Sequence, residues 1–200
     1  MKQKIDDLSR EELGKLFPIE VVPYNEMWPT FFEDEKKILI ESLGTQIVLR
    51  IEHFGSTSIP QLAAKPTIDI LIEIPILTDE LKVSIIAKMK IAGYDFIWRT
   101  DIEPPYMMFA KGYNLTGLKE QTFHIHMGQD GHPLWDRIYF RDYLRQNPEI
   151  AKQYEKLKFE LAKKLKYNRE DYTNAKTDFI IKITKEAKDE LNVKNKSGDA

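Results

Sequence analysis

The chain has 200 residues, 42% of them hydrophobic, with no cysteine and a formal charge of −2 at pH 7. That length and apolar content suffice for one substantial core, and no Gly/Ser/Pro-rich linker divides it. The near-neutral charge argues against a dominant nucleic-acid-binding surface, and the absence of cysteine excludes a disulfide framework, a thiolate metal site and a cysteine nucleophile.

The opening MKQKIDDLSREELGKLF has no uninterrupted apolar segment, so neither signal peptide nor membrane anchor is expected and the chain reads as soluble and cytoplasmic. Residues 6–17 read as a short amphipathic helix started by a Ser9/Glu12 capping box. From Asn25 to Leu43, Trp28, Phe31, Phe32, Ile38, Leu39 and Leu43 fall at helical spacing, and Gly44 ends the helix. A strand at 46–54 stops at Gly55-Ser56, residues 59–64 form a short helical or irregular crossing, and Thr67–Ile74 is a second strand, buried because it is nearly all β-branched or aliphatic. Thr78 caps a helix that Leu81, Ile85, Ile86, Met89 and Ile91 line and Gly93 closes. Short strands follow at 94–98, 107–111 and 121–127. The remainder is helical, punctuated at Pro133 and Pro148 and broken near Asn168 and Asn192. The expected plan is α+β: a mixed sheet with helices packed mainly on one face. It forms a single domain over 1–192, with an N-terminal helix within 1–18, a helical C-terminal part over 132–192 and a disordered polar tail at 193–200.

The chemistry-bearing residues concentrate where two strands carry polar groups among apolar ones. Along 67–74 side chains alternate, so Asp69, Leu71 and Glu73 share one face and Ile68, Ile70, Ile72 and Ile74 the other. An ionised carboxylate in such a run needs an open sheet end, a cation or hydrogen bonds, because burying it unpartnered costs several kcal/mol or more. It holds a metal ion, or it caps the Gly-Ser turn or pairs with Lys65. Asp69 and Glu73 lie about 13 Å apart along the strand, too far to share one ion. In FHIHM, Phe123, Ile125 and Met127 face one way and His124 and His126 the other, about 7 Å apart along the backbone and able to converge on one ion or phosphate. The alternative is a pair of hydrogen-bonded surface histidines. Gly55 permits a close backbone approach, Ser56 and Thr57 add donors, and His53 and Lys65 flank the turn, as a phosphate cradle would require. Arg137, Arg141 and Arg145 recur every four residues as one helix stripe. They either steer a polyphosphate or pair with Asp142 and Glu149.

Taken with Pro23-Tyr24-Asn25 and Trp28, the motifs His53 and Gly55-Ser56-Thr57, Pro60 with Leu62-Ala63-Ala64-Lys65-Pro66, Ile68-Asp69-Ile70, His124-Ile125-His126 and Phe140-Arg141-Asp142-Tyr143-Leu144-Arg145 make the chain resemble the GrpB family, within the nucleotidyltransferase superfamily. The resemblance runs from about Ile19 to Ile180. It implies a nucleotidyltransferase-like fold that acts on a nucleotide or other phosphorylated small molecule, with Asp69 and Lys65 catalytic. A divalent metal (Mg²⁺, Mn²⁺ or Zn²⁺) is then expected on Asp69, His124 and His126, and the ligand on His53, Gly55, Ser56, Thr57, Arg141 and Arg145. Such an enzyme would transfer a nucleoside monophosphate to an acceptor. Leu71 stands where the superfamily pattern carries a second carboxylate, which suits the alternative that the resemblance also implies: a non-catalytic module binding a phosphorylated ligand or partner, akin to the accessory domain found fused to dephospho-CoA kinase.

Overall fold

The computed structural model describes residues 8–115 and 120–197. Its elements are helices α1 (Arg10–Leu16) and α2 (Trp28–Leu43), strands β1 (Arg50–Phe54) and β2 (Thr67–Glu73), and helix α3 (Asp79–Ile91). Strands β3 (Asp95–Arg99), β4 (Tyr106–Lys111) and β5 (Thr122–Gly128) follow, then helices α4 (Asp136–Gln146), α5 (Pro148–Lys164), α6 (Arg169–Asn174) and α7 (Thr177–Ser197). Four helix starts have a local cause. Ser9 and Glu12 form the capping box of α1, the Thr78 side chain accepts from Leu81 N, Pro148 opens α5, and the Asn168 side chain accepts from Asp171 N.

Most boundaries shift by one to three residues, and two differ by more. The first strand begins at Arg50 because the Ile47 and Val48 amides turn back onto the Gly44 carbonyl, at 3.0 and 3.1 Å, and so do not enter the ladder. Helix α7 runs through Asn192 to Ser197, where a break and a disordered tail were expected. Between Asn192 and Ser197 there is no glycine or proline to stop it, and extending an existing helix adds a hydrogen bond per residue. The rest of the expected tail, residues 198–200, and the start of the first predicted helix lie outside the described residues.

The five strands form one mixed sheet in the order β1-β2-β5-β4-β3, with β2 parallel to β5 and every other pair antiparallel. The isoleucine row makes the main core: Ile68, Ile70 and Ile72 meet Phe123, Ile125 and Met127 on the sheet and Trp28, Leu39, Leu43, Ile85 and Met89 from α2 and α3. Each fully buried side chain of this size contributes about 1.5–3 kcal/mol relative to leaving it in water. Ile91, expected to line α3, points to solvent.

The opposite face is not left open, as the sequence reading had it. Phe54, Leu71, Tyr106 and Met108 pack there against Leu134, Trp135 and Ile138 at the start of α4. Beyond them Phe140 and Leu144 of α4, Ala151 and Tyr154 of α5 and Ile183 of α7 close over Ile59 and Leu62, which follow the Gly-Ser turn. The helical C-terminal part is thus a second wall of the sheet. Among the described residues no helix is long and apolar enough to cross a membrane.

One buried cation belongs to this wall rather than to the site described below. Lys158 is 2% exposed, donates to the Ala63 carbonyl and lies over the Tyr154 ring; burial brings its pKa down to about 7. The unfolded chain binds this proton up to about pH 10.5 and the folded chain only up to about pH 7, so this residue makes stability rise with pH across that window. Chemical denaturation of wild type and Lys158→Met from pH 6 to 10 should show the wild type gaining on the order of 4 kcal/mol relative to the variant as pH rises. Parallel curves would show that the ammonium is hydrated.

Candidate phosphate and metal site

The register of β2 against β5 places Asp69 directly opposite His124, with His126 two residues further along the same face. One oxygen of Asp69 and one nitrogen from each imidazole all lie within 4.8 Å of one another. On the antiparallel side, Ala110 and Met108 of β4 face His124 and His126. Phe54 of β1, opposite Asp69, meets the His126 ring edge to face.

The Gly55-Ser56 turn lies against this cluster. Gly55 has φ of 71°, and a Cβ built there would stand 2.3 Å from Asp69 Oδ2, so only glycine allows the approach. The short 3₁₀ turn Ser56–Ser58 that follows is pinned by the Ser58 hydroxyl donating to the Gly55 carbonyl at 2.6 Å.

The hydrogen-bond wiring assigns protons. Arginine only donates, so Arg169 Nη2 donates to the Tyr113 hydroxyl at 3.2 Å, and that hydroxyl lies 2.7 Å from His124 Nε2. A carboxylate only accepts, so the neutral His124 ring carries its hydrogen on Nδ1, facing Asp69 Oδ1 at 3.5 Å, and its Nε2 accepts from Tyr113. Arg137 Nη1 meets His126 Nδ1 at 3.1 Å, so His126 carries its hydrogen on Nε2.

The charge around Asp69 is positive. Burial would raise the carboxyl's pKa, but the His124 contact, Lys65 and Arg137 outweigh it and hold the group below its usual range. Lys65 is brought down to about 7, chiefly by burial and then by Arg169, with Asp69 opposing. Lys176, at the end of the α6–α7 connection, is brought down to about 8 by burial against the pull of Asp69. Burial also depresses His124, and burial with Arg137 takes His126 well below the ordinary imidazole value, so both rings are neutral at pH 7. Asp69 therefore lies near basic groups from several segments: Lys65 and Lys176 beside it, Arg137 on His126 and Arg169 on Tyr113.

Of the residues expected from sequence, Asp69, His124, His126, Lys65, Gly55 and Ser56 come together. His53, Thr57, Arg141 and Arg145 do not. Phe54 immediately precedes the turn on the face of Asp69, so alternation turns His53 to the other face, stacked on Phe32 at 4.9 Å and buried with its pKa lowered to about 4. His53 Nε2 donates to the Thr57 hydroxyl at 3.1 Å, which donates to the Thr67 carbonyl at 3.1 Å. Arg141 is clamped by Glu52 at 2.8 Å, the His53 carbonyl at 2.9 Å and Asp142 at 2.7 Å, and Arg145 donates to the Ser58 carbonyl. These four hold the turn in place. Arg137, one helix turn earlier in the same stripe, is the arginine that reaches the cluster. Tyr113, Arg169 and Lys176 carried no local signal.

The sequence model of the GrpB protein family matches residues 18–186. The chain is 38% identical over 167 residues to the glutamate-rich protein GrpB of Alkalihalophilus pseudofirmus, covering 83% of this chain and 94% of that one. It is 37% identical over 171 residues to the UPF0157 protein YqkA of Bacillus subtilis, and this match takes in 85% of the chain but only 47% of YqkA. Among solved structures, the conserved protein GrpB from Enterococcus faecalis superposes with a TM-score of 0.74 at 32% identity, over 86% of this chain and 99% of that one. A Cid1 poly(U) polymerase structure aligns over 71% of this chain and 43% of its own at 11% identity, with a TM-score of 0.45. The family match covers the sheet, the Gly-Ser turn and the Asp69/His124/His126 cluster, and the chain belongs to the GrpB family.

Proposed function

We propose that the cluster binds the phosphate groups of a phosphorylated small molecule. The observation that supports this reading is the gathering of cationic groups, with Arg137 on His126, Arg169 on Tyr113, and Lys65 and Lys176 near Asp69. Lys65, with its pKa brought down to about 7, takes up a proton more readily when an anion enters, so negative charge suits the site. A divalent cation fits as the ligand's companion. By type, Asp69, His124 and His126 suit Mn²⁺ or Zn²⁺ better than Mg²⁺, but their imidazole lone pairs face Tyr113 and Arg137 and the surrounding charge repels a lone cation. A bound metal would supply further neutralisation of phosphate charge.

The reading is recognition rather than nucleotidyl transfer. Two-metal transfer needs carboxylates that bridge two ions, and the position two residues from Asp69 on its face is Leu71, wholly buried among Phe54, Tyr106, Met108 and Leu134.

Inorganic pyrophosphate is the probe for this reading. At 100 times its dissociation constant it should stabilise the protein by about 2.7 kcal/mol, about 5–10 °C in melting temperature for a chain of this size. Arg137→Met and Lys176→Met should each weaken pyrophosphate at least tenfold by calorimetry, about 1.4 kcal/mol or more. Absence of pyrophosphate binding to wild type, with and without Mn²⁺, would remove the proposal.

A further inference from the structure

The outer strands of an open sheet offer unpaired backbone groups to whatever lies beside them, and the two outer strands here are treated differently. At β1, Arg141 of α4 lies on the edge and donates to the His53 carbonyl and to Glu52. At the other edge, β3 pairs with β4 through all five of its residues, and among the described residues its backbone bonds to no other segment. Natural outer strands commonly carry a lysine, a proline or a bulge that turns a second strand away. Between Asp95 and Arg99, β3 carries only Phe96-Ile97-Trp98, in unbroken register.

The side chains of this strand are available and ordered by face. Ile97 and Trp98 are 38% and 39% exposed, and the Lys82 ammonium lies over the Trp98 ring at 3.7 Å. Phe96 and Trp98 pair with Phe109 and Met107 on the side of the main core, while Asp95, Ile97 and Arg99 share the other face. The two ends carry opposite charge. Asp95 is exposed and enters no ion pair among the described residues. Arg99 gives Nε and Nη2 to Asp101, at 2.8 Å each, which leaves further N–H donors on a guanidinium that has five.

We infer that β3 is the contact between two copies of this chain, paired antiparallel about a twofold axis at Ile97 so that the two sheets become continuous. The strand's own sequence specifies the match. Antiparallel pairing about residue 97 sets Asp95 against the second copy's Arg99, Phe96 against its Trp98 and Ile97 against its Ile97. The charged and aromatic contacts then each occur twice, as a twofold interface requires. Opposite charges at the ends and aromatic pairs inside them are favourable cross-strand neighbours. Parallel pairing in register would instead set Asp95 on Asp95 and Arg99 on Arg99. A five-residue strand pair is a small interface, so the dimer is weak, with a dissociation constant on the order of 10–100 µM.

Sedimentation equilibrium of the full chain from about 5 to about 500 µM tests this. Wild type should move from the 23.5 kDa of one chain toward twice that mass as concentration rises. Asp95→Arg and Arg99→Asp should each weaken association at least tenfold, because each sets like charges against one another at both ends of the strand. An equimolar mixture of these two variants should dimerise again, since both end contacts then join opposite charges. Arg99→Asp also gives up the Asp101 pair, so Ile97→Lys and Ile97→Glu, at an exposed position, repeat the test at the axis: apart they repel, mixed they attract. A wild type that stays monomeric refutes the inference. So does a dimer that survives Ile97→Lys and Asp95→Arg, or an Ile97→Lys and Ile97→Glu mixture that stays monomeric. The outcome is independent of the phosphate site, which lies on β2 and β5.

Discussion

Replacing Gly55 with alanine is expected to cost about 3 kcal/mol or more in unfolding free energy, lowering the melting temperature by about 6–12 °C, and to abolish pyrophosphate binding. Two terms add. An L-residue held at φ of 71° and ψ of −176°, a region essentially reserved for glycine, costs about 1–3 kcal/mol, and a new methyl group 2.3 Å from Asp69 Oδ2 forces either the turn or the strand to move, a further 1–3 kcal/mol. Gly93→Ala is the comparison, because it has φ of 87° and nothing within 4 Å of an added Cβ, so it carries a positive-φ cost without a clash. Equal melting temperatures for the two variants would show that the Gly55 backbone does not rest on Asp69.

The Asp69→Asn variant should move anion and cation binding in opposite directions. The change keeps the side chain's shape and removes the negative charge that attracts Lys65, Arg137 and Lys176. In metal-free buffer, pyrophosphate should therefore bind about tenfold more tightly than to wild type, a gain of about 1.4 kcal/mol, while any strengthening by Mn²⁺ should disappear. The fold should survive. Asp69's side chain is 26% exposed, so the lost attraction to Lys65 and His124 is partly replaced by water and should cost about 1–2 kcal/mol, less than a fully buried pair would. Calorimetry with chelator and then with Mn²⁺ separates the two effects. Weaker metal-free pyrophosphate binding in this variant would mean that Asp69 serves the ligand by orienting His124, not as a counter-charge.

Much of the sheet and part of this site were legible in the amino-acid order, because strand alternation is a local property. The pattern of Asp69, Leu71 and Glu73 against Ile68, Ile70 and Ile72, and of His124 and His126 against Phe123, Ile125 and Met127, specifies which side chains share a face whatever lies beyond. Gly55 was legible for the same reason. The alternation also contained the exclusion of His53, since Phe54 lies between it and the turn.

Three features were decided only by tertiary structure. The parallel pairing of β2 with β5 put Asp69 level with His124, a match across 55 residues that no local pattern sets. The choice of Arg137 over Arg141 and Arg145 came from how α4 sits: its Phe140 and Leu144 dock on Ile59 and Leu62, and side chains four apart drift by about 40° around the axis, so one arginine faces the cluster while the next is clamped by Glu52 and Asp142. Arg169 and Lys176 belong to segments whose sequence shows only solvated helix, and only the fold brings Arg169 onto Tyr113 beside His124 and Lys176 near Asp69. Periodicity fixes a side chain's face within its own element, whereas the field at Asp69 is a sum over charges brought close by packing. The sequence by itself therefore determined the elements, their apolar faces and the carboxylate with its two imidazoles; the positive ring that turns them toward an anion came from the fold.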